Sequence, residues 1–210
     1  KQRYCLWLTP TAFPGGLPRQ LQQIFAEALG GPHIHQARLL DGGLFNTTYH
    51  VTYGEAREEA VLRLGPVNRQ FLMGHEENLI QSEVHICALC ERQGIPSSHV
   101  LAWNCSRRTI DRDYMIVRYI PSVPMCRAEL AEEERSALHG EMGAYLRRFH
   151  QIEGDCCGEA VRRAFRQNKA LLDAAGPPRL LHTDLWEGNV LLDRSPYDNI
   201  KSLLAELDNL

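Results

Sequence analysis

The sequence predicts an α+β chain in two lobes, the first an antiparallel sheet with one helix and the second mainly helical. Three observations predict it. Five short runs of strand character fall between residues 35 and 120. Pro121 and Pro124 then mark a break in character. Beyond them the apolar residues recur at helical spacing instead of alternating.

The elements follow in order. Leu17, Leu21, Ile24, Phe25 and Ala28 sit at helical spacing, and Gly30-Gly31-Pro32 ends that segment. His35 to Leu40 and Asn46 to Tyr53 read as strands joined through the turn Asp41-Gly42-Gly43, and Glu59 to Leu64 reads as a third. A helix runs from about His75 to Gln93, closed by Gly94 and Pro96. Val100 to Trp103 and Tyr114 to Ile120 form a hairpin turning around Asp111 to Asp113. Past the prolines, Leu138, Met142, Tyr145, Leu146 and Phe149 trace one face of a helix from about Glu129 to Ile152. A further helix spans about Glu159 to Ala174, and short strands follow at Arg179 to Leu181, Val190 to Asp193 and Ile200 to Leu207. The lobes are expected at 1–120 and 121–210, with a cleft between them.

Composition narrows the function. Of 210 residues, 44% are apolar and 23% charged, an ordinary globular mixture that excludes a disordered tail, a collagen-like fibre and a disulfide-stapled mini-protein. Lys plus Arg number 23 against 26 Asp plus Glu, a net charge of −3 with no basic stripe, so nucleic acid is not the expected partner. No run reaches the roughly 18–20 apolar residues of a membrane span. Lys1 to Pro10 lacks the apolar core of a signal peptide. The seven cysteines are odd in number and scattered, which reads as reduced thiols in a cytoplasmic protein. Cys87-x-x-Cys90 lacks a second ligand pair, so two small buried apolar residues are expected there ahead of a zinc site. His33 and His35 likewise lack a third ligand nearby.

The most informative run is Leu180 to Asp193. Within it His182, Asp184 and Asn189 fit H-x-D-x-x-x-x-N, the spacing of a kinase catalytic loop. A carboxylate there can accept the proton of an attacking hydroxyl, and an amide oxygen five residues on can return to a metal ion on the phosphates. The mostly apolar strand Ile200 to Leu207 delivers Asp208 at its end, where a carboxylate suits magnesium; a turn or capping acid is the alternative.

The first lobe holds matching parts. The turn Asp41 to Thr47 brings Gly42 and Gly43, which let a backbone approach a phosphate closely, and Asn46 or Thr47 can add hydrogen bonds. Alternation puts Val61 and Arg63 on one face of their strand and Leu62 and Leu64 on the other. Arg63 stands where the V-A-I-K signature has its lysine. Glu83 shares a helical face with Ile80, Val84 and Cys87, and a carboxylate in an apolar stripe needs a partner. Arg63 is the natural one, with Glu76 a rival to Glu83 two turns earlier on the same face.

The segments Gly42-Gly43-x-x-Asn46, Ala60-Val61-Leu62-Arg63, Tyr114 to Ile120, and His182-Thr183-Asp184-Leu185-Trp186-x-Gly188-Asn189 resemble the aminoglycoside phosphotransferase-like family. These are small-molecule kinases with the protein-kinase-like fold, and the resemblance spans about Leu39 to Asp208. It implies phosphorylation of a hydroxyl by ATP or GTP with Mg2+. Asp184 would be the catalytic base, Asn189 and Asp208 the metal ligands, and Arg63 with Glu83 the phosphate-side ion pair. Val117, Arg118, Tyr119 and Ile120 would offer backbone groups to the purine, with Val61 above it and Leu191 below.

The sequence departs from the family pattern in places. Arg63 replaces the usual lysine, a permanently charged fork that can still hold phosphate oxygens. Thr183 replaces the commoner glycine, and Asn209-Leu210 stands where a protein kinase has Phe-Gly. Only 32 residues separate His150 from His182, and the chain stops two residues after Asp208. Family members carry further helices at both places, so the acceptor half is expected to be incomplete, with residues missing after Gly154 or after Leu210. The expected acceptor is a hydroxylated small molecule, first an aminoglycoside-type antibiotic, with choline, sugar, amino-alcohol and macrolide acceptors as alternatives. Glu129, Glu132, Glu133, Glu134 and Asp155 read as a solvated face, with contact to a cationic acceptor the alternative. From another class, a nucleotide-binding pseudokinase without catalysis is the rival reading.

Overall fold

Alternation along two neighbouring strands decides where the first core lies. A computed structural model describes residues 19–40, 46–67, 69–72, 78–152, 185 and 187–193. The strands of its first part are β1 (Ile34–Leu40), β2 (Thr47–Tyr53), β3 (Glu58–Leu64), β4 (Val100–Asn104) and β5 (Tyr114–Arg118). All pair antiparallel in the order β1-β2-β3-β5-β4. In β2, Thr47, Tyr49, Val51 and Tyr53 are buried while the residues between them are half-exposed, and Ala60, Leu62 and Leu64 do the same in β3.

Helix α1 (Arg19–Leu29) covers that face. Its Leu21, Ile24 and Phe25 are spaced to share one side, and all three are fully buried against the sheet. Phe25 meets Tyr53 edge-on at 5.2 Å. The helix ends where Gly30 and Gly31 take positive φ, and the Gly31 N–H returns to the Phe25 carbonyl. The opposite face of the sheet receives α2 (Leu79–Arg92), whose Ile80 packs with Met115 and Val117 in a second core that Val61, Val84 and Val100 border.

Helix α2 begins four residues later than its apolar pattern predicts. Asn78 is in the left-handed conformation, with φ 59° and ψ 26°, which a helix cannot carry. β5 also ends earlier than predicted, at Arg118. Both outermost strands carry a register irregularity, between Ile34 and Gln36 in β1 and between Val100 and Ala102 in β4.

The chain divides into two compact units, Lys1–Tyr119 and Ile120–Leu210. The second holds β6 (Ser122–Pro124), α3 (Glu132–Phe149) and β7 (Leu191–Asp193), with β6 and β7 paired antiparallel. A one-turn 3-10 helix at Met125–Arg127 follows β6, and its buried Met125 donates its N–H to the Val190 carbonyl at 2.8 Å. Helix α3 is shorter at both ends than predicted. Its start is fixed by the Glu134 carboxylate accepting the Ala131 N–H at 2.8 Å. Glu132 to Glu134 in the first turn and Arg147 and Arg148 in the last oppose the helix dipole favourably. Leu138, Met142, Leu146 and Phe149 are its half-buried stripe, and Tyr145 is exposed. The helix predicted at 159–174 and the strands at 179–181 and 200–207 lie outside the described residues. Among the described residues, no helix is long and apolar enough to cross a membrane.

Gly140 and Gly143 lie within α3, and a Cβ added at either meets nothing within 4 Å. Gly140→Ala and Gly143→Ala are each expected to raise stability by about 0.5–1 kcal/mol. Denaturant titration followed by the far-ultraviolet helix signal measures it.

Candidate active site

The face of the sheet turned toward α2 gathers the charged pair that the strand alternation implied. Register places Val61 opposite Val117 and Arg63 opposite Met115, so these four line one face in two rows. Ile80 and Val84 of α2 lie over the apolar members. Glu83, on the same side of the helix, forms an ion pair and hydrogen bond with the Arg63 guanidinium. The two side chains keep 29% and 30% of their exposure, so both reach from the edge of an apolar cluster toward solvent. Charge assistance in this half-buried setting makes the contact stronger than a surface pair. Glu76 lies outside the described residues.

One turn beyond Glu83, Cys87 is buried and its thiol is pushed up to about 11. Burial is the main cause, Glu83 adds to it, and Arg63 opposes it. Cys87 and Cys90 are therefore neutral thiols inside the helix packing. Among the described residues no group of three or more His, Cys, Asp or Glu could hold a metal ion.

At the other end of β2 the structure separates two residues that the sequence offered together. Thr47 is fully buried, and its hydroxyl accepts a hydrogen bond from Arg112 Nη2 at 2.8 Å. It falls on the α1 face with Tyr49 and Val51, so the strand turns it away from any phosphate. Asn46 is half-buried, and its Oδ1 is buried with no hydrogen-bond partner among the described residues. Gly42 and Gly43 lie outside the described residues.

Arg112 was legible only as part of a hairpin turn. It donates to the carbonyls of Gly65 at 2.6 Å and Leu64 at 3.3 Å as well as to Thr47, tying the start of β2 to the end of β3. Burial pulls its guanidinium down to about 10. Beside it Asp113, buried, takes a two-pronged bond from Arg107 at 2.7 Å on each oxygen, and its carbonyl accepts the Gly65 N–H.

The segment from Val117 to Ile120 is partly committed to the sheet. The Arg118 N–H donates to the His99 carbonyl and the Tyr119 N–H to the Glu59 carbonyl. Those two N–H groups are therefore engaged within the first unit. The Tyr119 ring stacks on His50 at 4.1 Å, and His50 Nε2 lies 2.9 Å from a Glu59 carboxylate oxygen. Ile120 is exposed and begins the second unit.

In the second unit Asn189 is exposed at the end of a one-turn 3-10 helix, Glu187–Asn189. Leu191 follows in β7, 58% exposed and paired with Pro124. Glu187, which no motif singled out, bonds to Arg135 Nη1 at 2.5 Å and His139 Nε2 at 2.8 Å. The Arg135 bond holds its carboxyl below the ordinary carboxylate value. His182, Asp184 and Asp208 lie outside the described residues.

Comparison with known proteins adds three findings. The sequence model of the phosphotransferase enzyme family (APH) matches residues 36–170. No curated protein matches the chain. Among solved structures, the spectinomycin phosphotransferase APH(9)-Ia in complex with ADP and spectinomycin aligns with a TM-score of 0.55 and 15% identity. That alignment covers 87% of this chain and 67% of the other. A candidate aminoglycoside phosphotransferase from Ralstonia eutropha aligns at 14% identity and a TM-score of 0.47, over 75% of this chain and 47% of its own. The first likeness shows an α+β, kinase-like fold.

The thiol environments give a measurable contrast. At about pH 8, iodoacetamide is expected to label exposed Cys126 well before Cys87, read by peptide mass spectrometry. The Cys87 value lies above the ordinary 9.0, so its contribution to stability is complete below that pH and declines as pH rises toward 11. Arg112→Met is expected to lower stability by about 1–3 kcal/mol, since it strands the buried Thr47 hydroxyl and two carbonyls; a urea midpoint checks it.

Proposed function

Because the chain belongs to the phosphotransferase enzyme family, we propose that it transfers the terminal phosphoryl group of ATP to a hydroxyl of a small molecule, with GTP the alternative donor. The observation that carries this reading is the Arg63–Glu83 pair at the border of the apolar rows Val61, Met115 and Val117. A fixed guanidinium beside an apolar shelf is what a nucleotide requires: a cation for phosphate oxygens and a dry surface for a base.

In this reading Arg63 binds the phosphates and Glu83 holds its fork in place. Asn46, whose Oδ1 has no partner among the described residues, adds a hydrogen bond at the phosphate turn, where Gly42 and Gly43 bring backbone N–H groups near. Val61 and Val117 offer apolar surface to the purine, and Leu191 is a further purine-contacting residue in this reading. The carbonyl side of the Val117 to Ile120 segment, with the Ile120 N–H, meets the base edge. Asp184 accepts the proton of the acceptor hydroxyl as the hydroxyl oxygen bonds to the terminal phosphorus and the bond from that phosphorus to the bridging oxygen breaks, releasing ADP.

Asn189 and Asp208 would hold Mg2+. Amide and carboxylate oxygens are the donors a hard cation takes, and Asn189, the member of this set among the described residues, is exposed at the end of its turn. The ion would supply charge to offset that developing on the transferred phosphoryl group. The remaining work of catalysis is positioning by the chain.

An aminoglycoside-type acceptor is the substrate class we favour. The support is likeness of fold to a spectinomycin phosphotransferase, reinforced by the catalytic-loop run His182 to Asn189. A second reading, nucleotide binding without transfer, draws on one observation: arginine stands at 63 in place of lysine.

A panel of aminoglycosides, choline and small alcohols, assayed for phosphate uptake from ATP with full-length protein, separates these readings. Acceptor-dependent transfer is expected, and Asp184→Ala should lower kcat by about 10²–10⁴-fold. Nucleotide turnover unchanged in that variant removes the base assignment, and binding without turnover in wild type favours the second reading. Glu83→Gln is expected to raise the KM for ATP about tenfold, more than Glu76→Gln does.

A further inference from the structure

We propose that Arg135, His139 and Glu187 form a side-chain clamp that positions Asn189, with Glu187 a positioning residue for the metal site. This rests on the reading above that Asn189 is a metal ligand. Three observations lead to it, all within the second unit.

Arg135 and His139 stand four residues apart on α3, so their side chains leave one face of the helix a turn apart. Each takes a different oxygen of the same carboxylate, Oε2 at 2.5 Å and Oε1 at 2.8 Å. Glu187 is thereby fixed in orientation as well as in position. Arg135 and Glu187 keep 28% and 27% of their side-chain exposure, and His139 keeps 50%, so the pair to Arg135 is the more sheltered half of the clamp.

Glu187 opens the 3-10 turn that Asn189 closes. A single such turn has weak hydrogen bonding of its own and takes its geometry from what holds its ends. The far end is held by backbone: Met125 N–H to the Val190 carbonyl, then the pairing of β7 with β6. The near end is held by the clamp. An ordinary solvated ion pair would contribute little, but this one fixes a backbone anchor two residues from a proposed metal ligand. Groups of that kind tune metal affinity while leaving the fold intact.

The test uses Mn2+ as a probe with full-length protein and ADP, read by electron paramagnetic resonance of the free ion, with a thermal melt and metal-free ADP binding alongside. Glu187→Gln keeps the side-chain shape and removes the charge. It is expected to weaken Mn2+ binding about tenfold, with the melt and metal-free ADP affinity unchanged. Arg135→Met combined with Glu187→Gln should lose no more than Glu187→Gln alone, because both break one device. Should Glu187→Gln not fold, His139→Gln against His139→Ala decides, since the amide keeps a donor for Oε1; the first is expected to retain Mn2+ affinity and the second to lose it. Unchanged Mn2+ affinity in Glu187→Gln, or losses that only track the melt, overturns the clamp. Asn189→Ala separates the two levels. If it binds Mn2+ as wild type does, or wild type binds none, the ligand reading fails and the clamp with it. If Asn189→Ala is impaired while Glu187→Gln is not, the clamp alone fails.

Discussion

A single charged contact sets how α2 lies on the sheet. Apolar packing of Ile80 against Met115 and Val117 brings the helix to that face, but such packing tolerates sliding and rotation. The Arg63–Glu83 pair does not tolerate them, because an isolated charge at the border of an apolar cluster loses hydration without compensation. The pair therefore adds a directional constraint to the apolar packing of the helix. The same contact delivers a guanidinium with a fixed direction, so the feature that specifies the packing also prepares the proposed phosphate site.

The other face of the sheet works differently. Leu21, Ile24 and Phe25 fill it with no charge, and Tyr49, Val51, Leu62 and Ile116 close around them. Strand alternation separates these two environments residue by residue, placing Leu62 in the core under α1 and Arg63 at the border of the cluster under α2. Thr47 shows how strict that separation is. Its hydroxyl has the chemistry to meet a phosphate, but its place in the alternation sends it to the core, where Arg112 receives it. Arg112 in turn lacks a carboxylate among these partners and satisfies itself on two carbonyls and a hydroxyl, at the cost of a lowered guanidinium value.

How much of this was legible follows from the range of each interaction. Period-two and helical patterns are local, and they placed the strands, the buried face of α1, and the shared side of Ile80, Glu83 and Cys87 in α2. The α2 start was not legible, because Asn78 in a left-handed conformation leaves no break in an apolar pattern. Arg112 was out of reach because its partners Gly65 and Thr47 lie 47 and 65 residues away in the chain. Glu187 sat inside the most informative motif and was still missed, since its meaning comes from Arg135 and His139 on a helix 52 and 48 residues earlier. The spent N–H groups of Arg118 and Tyr119 also required the sheet register, which side-chain patterning does not carry. Pattern finds elements; long-range pairing assigns their polar groups.

The irregular spots in β1 and β4 carry a consequence for how the protein behaves when crowded. Each outermost strand has its ladder interrupted near one end, at Ile34/Gln36 and at Val100/Ala102. A neighbouring molecule offering a flat ribbon meets an irregularity near one end of each outer strand, while Trp103, 46% exposed, lies beyond the one in β4. Such offsets in outer strands work against edge-to-edge pairing between molecules.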